Sequence, residues 1–224
     1  YPIYSKYSTM VVEHTLKVYS RISIPYPYPV AQSVEADIGM EYPMLAMNYG
    51  RTDKNGNYSA ATRNGAIGVI IHEVGHNFFP MIVNSDERQW WWMDEGLNSF
   101  CQYIAEQELE PGFPSRRGPA YTVTDYMNLP KDKLEPIMTK GDYVSNVGSN
   151  AYAKAAAGLN ILRETILGKE LFDFSFREYA RRWAFKHPTP ADLFRTMEDA
   201  SGSDLDWFWR GWYFGTDPVD ISLD

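Results

Sequence analysis

Ile71-His72-Glu73-Val74-Gly75-His76-Asn77, read together with Trp92-Met93-Asp94-Glu95-Gly96, decides the reading of this chain. The first stretch is an H-E-x-x-H. On a helix two residues four apart lie about 40° from each other around the axis, so the imidazoles of His72 and His76 can reach one metal ion. Glu73 follows His72 directly and points about 100° away from it, which suits a carboxylate that holds water beside the metal. A third ligand must come from elsewhere. Glu95 is well placed if the chain leaves the first helix, turns and starts a second one. Three protein ligands with an open fourth position form the pattern of a catalytic zinc site, whereas structural sites are closed. Half of the chain's four histidines fall on this pattern.

Outward from these helices, the chain reads as alternating extended and helical segments. Apolar residues at 11, 12, 16, 18, 19 and 22 favour a helix over residues 9 to 22. Its His14 has no spacing partner and reads as a packing or surface histidine. The prolines of Ile24-Pro-Tyr-Pro-Tyr-Pro-Val30 forbid a helix interior, and this segment leads into a strand from Ala31 to Ile38. Gly39 to Pro43 then lies at a strand edge or in a loop before a second strand, Met44 to Tyr49. An edge strand can accept a peptide beside it, backbone to backbone. The zinc helix is expected from Thr62 to Phe79, closed by Pro80, and is so apolar that it must be buried; two histidines and a glutamate there need a reason, and a metal supplies one. A polar turn and the Trp90-Trp91-Trp92 run, read as core and pocket wall, lead to the next helix, Asp94 to Glu108. Residues 111 to 149 form a long polar stretch with one short helix near Thr122 to Met127, and such a stretch is usually functional or mobile. Helices follow over 150 to 167, over Leu171 to Lys186, from Thr189 to Gly202 with Pro190 at its first position, and over Asp204 to Tyr213. His187, between two of these, reads as a surface histidine.

The motifs, taken in order, carry a family likeness. HEVGH followed after eighteen residues by Glu95 resembles the gluzincin zinc aminopeptidases, the aminopeptidase N and leukotriene hydrolase group. Asp37-Ile38-Gly39-Met40-Glu41-Tyr42-Pro43 resembles that family's G-x-M-E-N exopeptidase motif, and Ala151-Tyr152-Ala153-Lys154-Ala155 its Y-E-K-G segment. The likeness runs from about residue 15 to about residue 215. It implies an α+β, thermolysin-like catalytic domain, with a small sheet and the zinc helix in an upper part (residues 1–93) above a mainly helical lower part (residues 94–224). It implies one Zn2+ held by His72, His76 and Glu95, with Glu73 as general base and acid. Tyr152 would stabilise the oxyanion; its plain alternative is a tyrosine packing a helix start. Glu41 would pair with a peptide's free α-amine, the alternative being a solvated strand-edge glutamate, and Gly39 and Met40 would line the same edge with their backbone. Glu135-Pro136-Ile137-Met138 resembles a pocket-forming segment of the family.

The implied activity is removal of N-terminal residues from peptides. An endopeptidase or epoxide hydrolase of the same family, or a noncatalytic scaffold, are the other readings. The motifs depart from the family at Ile38, Tyr42, Ala153, Ala155 and the Phe79-Pro80-Met81 that follows the second histidine. These departures spare every metal position and bear on exopeptidase strictness.

Composition bounds the partners. A formal charge of -8 and no basic stripe argue against nucleic acid or an anionic membrane. No run of apolar residues is long enough for a membrane segment. Cys101 is the only cysteine; it excludes an intrachain disulfide, leaves the redox compartment open, and reads as a small buried apolar residue. A periplasmic or secreted setting is slightly favoured over a cytoplasmic one. The chain opens at Tyr1-Pro2-Ile3 without a methionine, as expected of a piece of a longer parent chain, in which the family places a β-rich domain ahead of the catalytic one.

Overall fold

A computed structural model describes residues 2–218. Helix α1 (Pro2–Ile22) starts well before the expected residue 9, with Val11, Val18, Tyr19 and Ile22 buried on one face. Three short strands follow, β1 (Gln32–Glu35), β2 (Met40–Tyr42) and β3 (Leu45–Asn48). They form one sheet in the order β1-β3-β2. β1 runs parallel and β2 antiparallel to the central β3, with Glu41 opposite Ala46. The segment expected at a strand edge or in a loop is therefore an edge strand.

Helix α2 (Ala60–Gly75) is capped by Ser59, whose side chain accepts the Thr62 N–H. It is apolar on nearly every side because α1, α3 and the sheet all pack on it. The helix does not run to Phe79 as its apolar pattern suggested. Regular α geometry stops at Gly75, and Asn77–Ile82 forms a wider turn in which Phe79 is extended (φ -132°, ψ 111°). The cause is Pro80, which disfavours α geometry in the residue before it. Asn77 closes the break: its Nδ2 donates to the Val74 carbonyl and its Oδ1 accepts the Met44 N–H, tying the sheet to the end of the helix.

Helix α3 (Trp91–Leu109) crosses α2. Beyond it the chain forms a short helix α4 (Thr124–Met127), then a wide-turn helical segment Gly148–Lys154 continuing into α5 (Ala155–Ile161). Gly96 of α3 lets this helix in: a Cβ there would lie 2.5 Å from Ala155 Cβ and 2.7 Å from the Ala151 carbonyl. Helices α6 (Lys169–Trp183), α7 (Pro190–Ser201) and α8 (Asp206–Trp212) follow. α7 carries the capping box formed by Thr189 and Asp192, and Gly202 ends it in the left-handed region. One apolar cluster runs from Val11 and Ile71 through Trp92 and Phe100 to Met197 and Tyr213. Cys101 is fully buried in it.

Candidate active site

The last turn of α2 and the first turns of α3 pack against each other. His72 and His76 project from one, Asp94 and Glu95 from the other. Glu95 Oε2 lies 3.0 Å from His72 Nε2 and 3.4 Å from His76 Nε2, and the two Nε2 atoms are 3.2 Å apart. The three residues predicted as ligands thus converge on one point. His76 keeps helical dihedrals (φ -58°, ψ -19°) although it caps α2, so the break after it leaves the two-histidine geometry intact.

Hydrogen bonds decide which imidazole atoms face that point. Gln102 Nε2 donates to Glu106 Oε1 (2.7 Å) and to the Gly68 carbonyl (3.1 Å). Its Oε1 therefore faces His72 Nδ1 at 2.9 Å as an acceptor, and the proton of His72 belongs on Nδ1. His76 Nδ1 faces the Phe79 carbonyl at 2.9 Å, which can only accept. Asp94 Oδ1 lies 2.9 Å from the same nitrogen; it makes no aligned hydrogen bond and acts through its charge. Behind the helix, Tyr19 Oη donates to Asn98 Oδ1 (2.8 Å) and Asn98 Nδ2 donates to the His72 carbonyl (2.8 Å). Gly75 has no side chain because a Cβ there would run into Tyr19 and Asn98.

With both Nδ1 protons committed outward, two Nε2 lone pairs and a carboxylate oxygen meet at mutual distances of 3.0 to 3.4 Å. Only protons or a shared cation can lie between such atoms. A tetrahedral ion bonded at about 2.0–2.1 Å to nitrogen and oxygen spaces its ligands about 3.3 Å apart. The donor set and its spacing therefore fit zinc.

The surroundings are acidic. Burial pushes the Glu73 carboxyl up to about 8, against the pull of His76 and with help from Glu41. Burial also raises Asp94 to about 6 and lifts Glu41 above the usual carboxylate range. Glu95 is buried too, yet its contacts with His72 and His76 outweigh burial and hold it well below that range. Burial lowers His72, whereas Asp94 and Glu95 overcome burial at His76 and raise it well above an ordinary imidazole.

Glu73 is buried, and its Oε1 sits where a side chain at residue 39 would be: a Cβ on Gly39 would come to 2.5 Å. Gly39 thus opens room for Glu73 at the start of β2. Glu41 sits beside both, its carboxylate, that of Glu73 and a His76 nitrogen lying within 4.8 Å of one another. Met40 pairs opposite Met47 of β3, and among the described residues no strand covers the other edge of β2. Tyr152 stacks on His72 with ring centroids 5.7 Å apart. Burial and the neighbouring Glu95 carboxylate raise its phenol well above the ordinary value. The segment Glu135–Met138 braces it from behind: Asn150 Nδ2 donates to the Glu135 (2.8 Å) and Pro136 (3.1 Å) carbonyls.

Three neighbours escaped the sequence reading. Gln102 and Glu106 orient His72, and their i+7 and i+11 positions after Glu95 on α3 could have signalled a shared face. Glu87, Glu41 and Asp94 bring carboxylate oxygens within 4.8 Å of one another; Glu87 lies in an irregular turn where no periodicity points inward. His14 and His187 lie apart from the site, bonded to the Ala105 (2.8 Å) and Asn84 (3.1 Å) carbonyls.

Fold and site together define a zinc-metallopeptidase-type catalytic domain. The chain belongs to peptidase family M1, whose domain model matches residues 7–212. It is 25% identical over 167 residues to aminopeptidase N of Lactococcus lactis subsp. lactis, covering 70% of this chain and 19% of that protein. It is 24% identical over 224 residues to aminopeptidase M1-A of Oryza sativa subsp. japonica, covering 92% of this chain and 25% of that protein. The M1 zinc metallopeptidase of Deinococcus radiodurans has the same fold, with a TM-score of 0.70 at 18% identity over 94% of this chain and 45% of that one. The chain thus spans about a fifth to a quarter of the length of the curated relatives it matches.

Proposed function

We infer that the chain is the catalytic part of a zinc-dependent aminopeptidase, releasing N-terminal residues from peptides. The observation that carries this reading is the convergence of His72, His76 and Glu95 beside the unpaired, buried Glu73. These three residues would hold one zinc ion, which when bound supplies Lewis-acid chemistry, polarising a carbonyl and acidifying water. Glu73 takes a proton from the attacking water and returns it to the departing amine. Tyr152, a neutral phenol held against His72, donates toward the oxygen on which negative charge develops. Glu41 is the anchor for the substrate's α-ammonium, and Glu87 and Asp94 add to the negative potential there. Gly39 and Met40 offer the open edge of β2 to the peptide backbone. Further domains of a longer parent chain would complete the enclosure.

The test is hydrolysis of aminoacyl fluorogenic amides and of a free and an N-acetylated peptide. The reading predicts cleavage that a chelator abolishes, a loss of about 10²–10⁴ in kcat for E73Q, and rejection of the acetylated peptide that weakens in E41Q. Equal cleavage of both peptides by the unmodified chain would remove the exopeptidase assignment, and chelator-resistant cleavage the whole reading.

A further inference from the structure

On the His72 side of the site the molecule holds a cavity of about 430 Å³, lined by His72, Glu73 and Tyr152 and by two arginines, Arg116 and Arg117. That volume lies in the range of sites for small ligands. The arginines arrive there because the polar stretch after α3 is anchored at both ends. Phe113 is buried, with its carbonyl accepting Gln107 Nε2 at 2.8 Å. Gly118 lies flat against the Tyr103 ring with φ +111°, where a side chain would be both strained and obstructed. Between these anchors the chain doubles back over α3.

Arg117 is placed on the catalytic machinery without a carboxylate partner among the described residues. Its guanidinium sits 4.0 Å from the centroid of the Tyr152 ring, which itself stacks on His72. A guanidinium offers five N–H donors. Arg117 gives one of them to Ser99 Oγ over a long 3.5 Å. Among the described residues no carboxylate forms an ion pair with it or with Arg116, whereas Arg21, Arg51, Arg63 and Arg163 each have one. Glu106 and Glu95 act on Arg117 only from a distance, and Glu106, which shares the cavity, has its Oε1 engaged by Gln102. A half-buried cation with unused planar donors beside a substrate cavity is suited to a planar anion.

The acids lie on the other side. Glu41, Glu87 and Asp94 cluster next to His76, and the arginines stand beyond His72. A short peptide is a dipole of the same sense, ammonium at one end and carboxylate at the other. Resting on the aminopeptidase reading above, we propose that Arg117, supported by Arg116, binds the α-carboxylate of the substrate's leaving portion, so that the preferred substrates are di- and tripeptides with a free C-terminus. Arg117 is one aromatic ring away from His72. A residue spans about 3.3–3.6 Å along an extended chain, so a carboxylate one or two residues past the scissile bond reaches it.

The experiment compares Ala-Ala-Ala with Ala-Ala-Ala-amide on the zinc-loaded protein and on R117Q and R117K. The unmodified protein should favour the free acid by about tenfold or more in kcat/KM. R117Q should bring the two substrates to within about twofold, and R117K should restore part of the preference. If R117Q slows both substrates equally, Arg117 merely supports Tyr152 and the proposal is overturned. It is overturned as well if the unmodified protein does not discriminate. Calorimetric titration of both peptides into E73Q gives a second readout independent of turnover: the acid should bind about tenfold tighter, and equal binding contradicts the proposal. Should neither peptide be cleaved by the unmodified protein while E73Q still prefers the acid, the peptidase reading fails and the carboxylate site stands.

Discussion

The orientation of one amide, that of Gln102, decides which nitrogen of His72 is free to bind a cation. The Gly68 carbonyl can only accept, so the Gln102 NH2 turns toward it and toward Glu106, and the amide oxygen turns toward His72 Nδ1. Losing such an outer partner typically lowers metal affinity about 10–100-fold. Q102A should therefore bind zinc about 10–100-fold more weakly in chelator competition, with its circular dichroism unchanged; undiminished affinity would mean that the amide does not set the tautomer. Glu73 makes a second residue-scale prediction, concerning pH. Its carboxyl rises from the ordinary value of 4.5 to about 8 on burial, so between those values the folded state holds a proton that the unfolded chain has released. In chelator-treated protein the Glu73 contribution to stability is then lost as pH rises from about 4.5 to about 8, with a slope of up to about 1.4 kcal/mol per pH unit. E73Q should flatten that part of the stability profile from urea titrations. An identical slope in both proteins would mean that Glu73 ionises normally. The ligand set was legible because H-E-x-x-H and a glutamate on the next helix are local patterns. Arg117 and Glu87 were not, since the path of a glycine-bounded loop and of an irregular turn decides what they face.

At the scale of elements, packing overrides the apolar pattern where the chain must turn. The run from Ala66 to Phe79 is apolar apart from His72, Glu73, His76 and Asn77, yet α2 stops at Gly75 because Pro80 holds Phe79 extended and Asn77 takes up the freed carbonyl of Val74. Proline thus ended the helix four residues earlier than the apolar pattern did, and no hydrophobic periodicity could have located that stop. The lower helices were easier to read. Thr189-Pro190-Ala191-Asp192 carries its cap in the sequence, and α7 starts at Pro190 and ends at Gly202 as the residues predict. T189A should cost about 1 kcal/mol and leave kcat unchanged, as thermal melts and initial rates can check; an unchanged melting temperature would show the capping box to be idle. G96A should act differently. Its Cβ meets Ala155 and the Ala151 carbonyl, next to Tyr152, so α3 and the Tyr152 segment must move apart at a cost of about 1–3 kcal/mol. Thermal melts should record that loss and kcat should fall with it; full activity in G96A would show Tyr152 to be uninvolved.

For the molecule as a whole, one core runs from Val11 to Tyr213, with the site where α2 meets α3. A ligand set drawn from both helices makes ion binding and folding one equilibrium. Zinc held at 100 times its Kd should raise the unfolding free energy by about 2.7 kcal/mol, and a chelator should lower the melting temperature accordingly, by about 5–10 °C. The chain covers about a quarter or less of the length of these relatives, and it carries both the carboxylates beside His76 and the guanidiniums beyond His72. The measurement that bears most directly on the central claim is zinc content after exhaustive dialysis, compared across the unmodified chain, E73Q and E95Q. One zinc per chain is expected in the first two and almost none in the third. An E95Q protein that retains its zinc, or an unmodified chain that binds none, would contradict it.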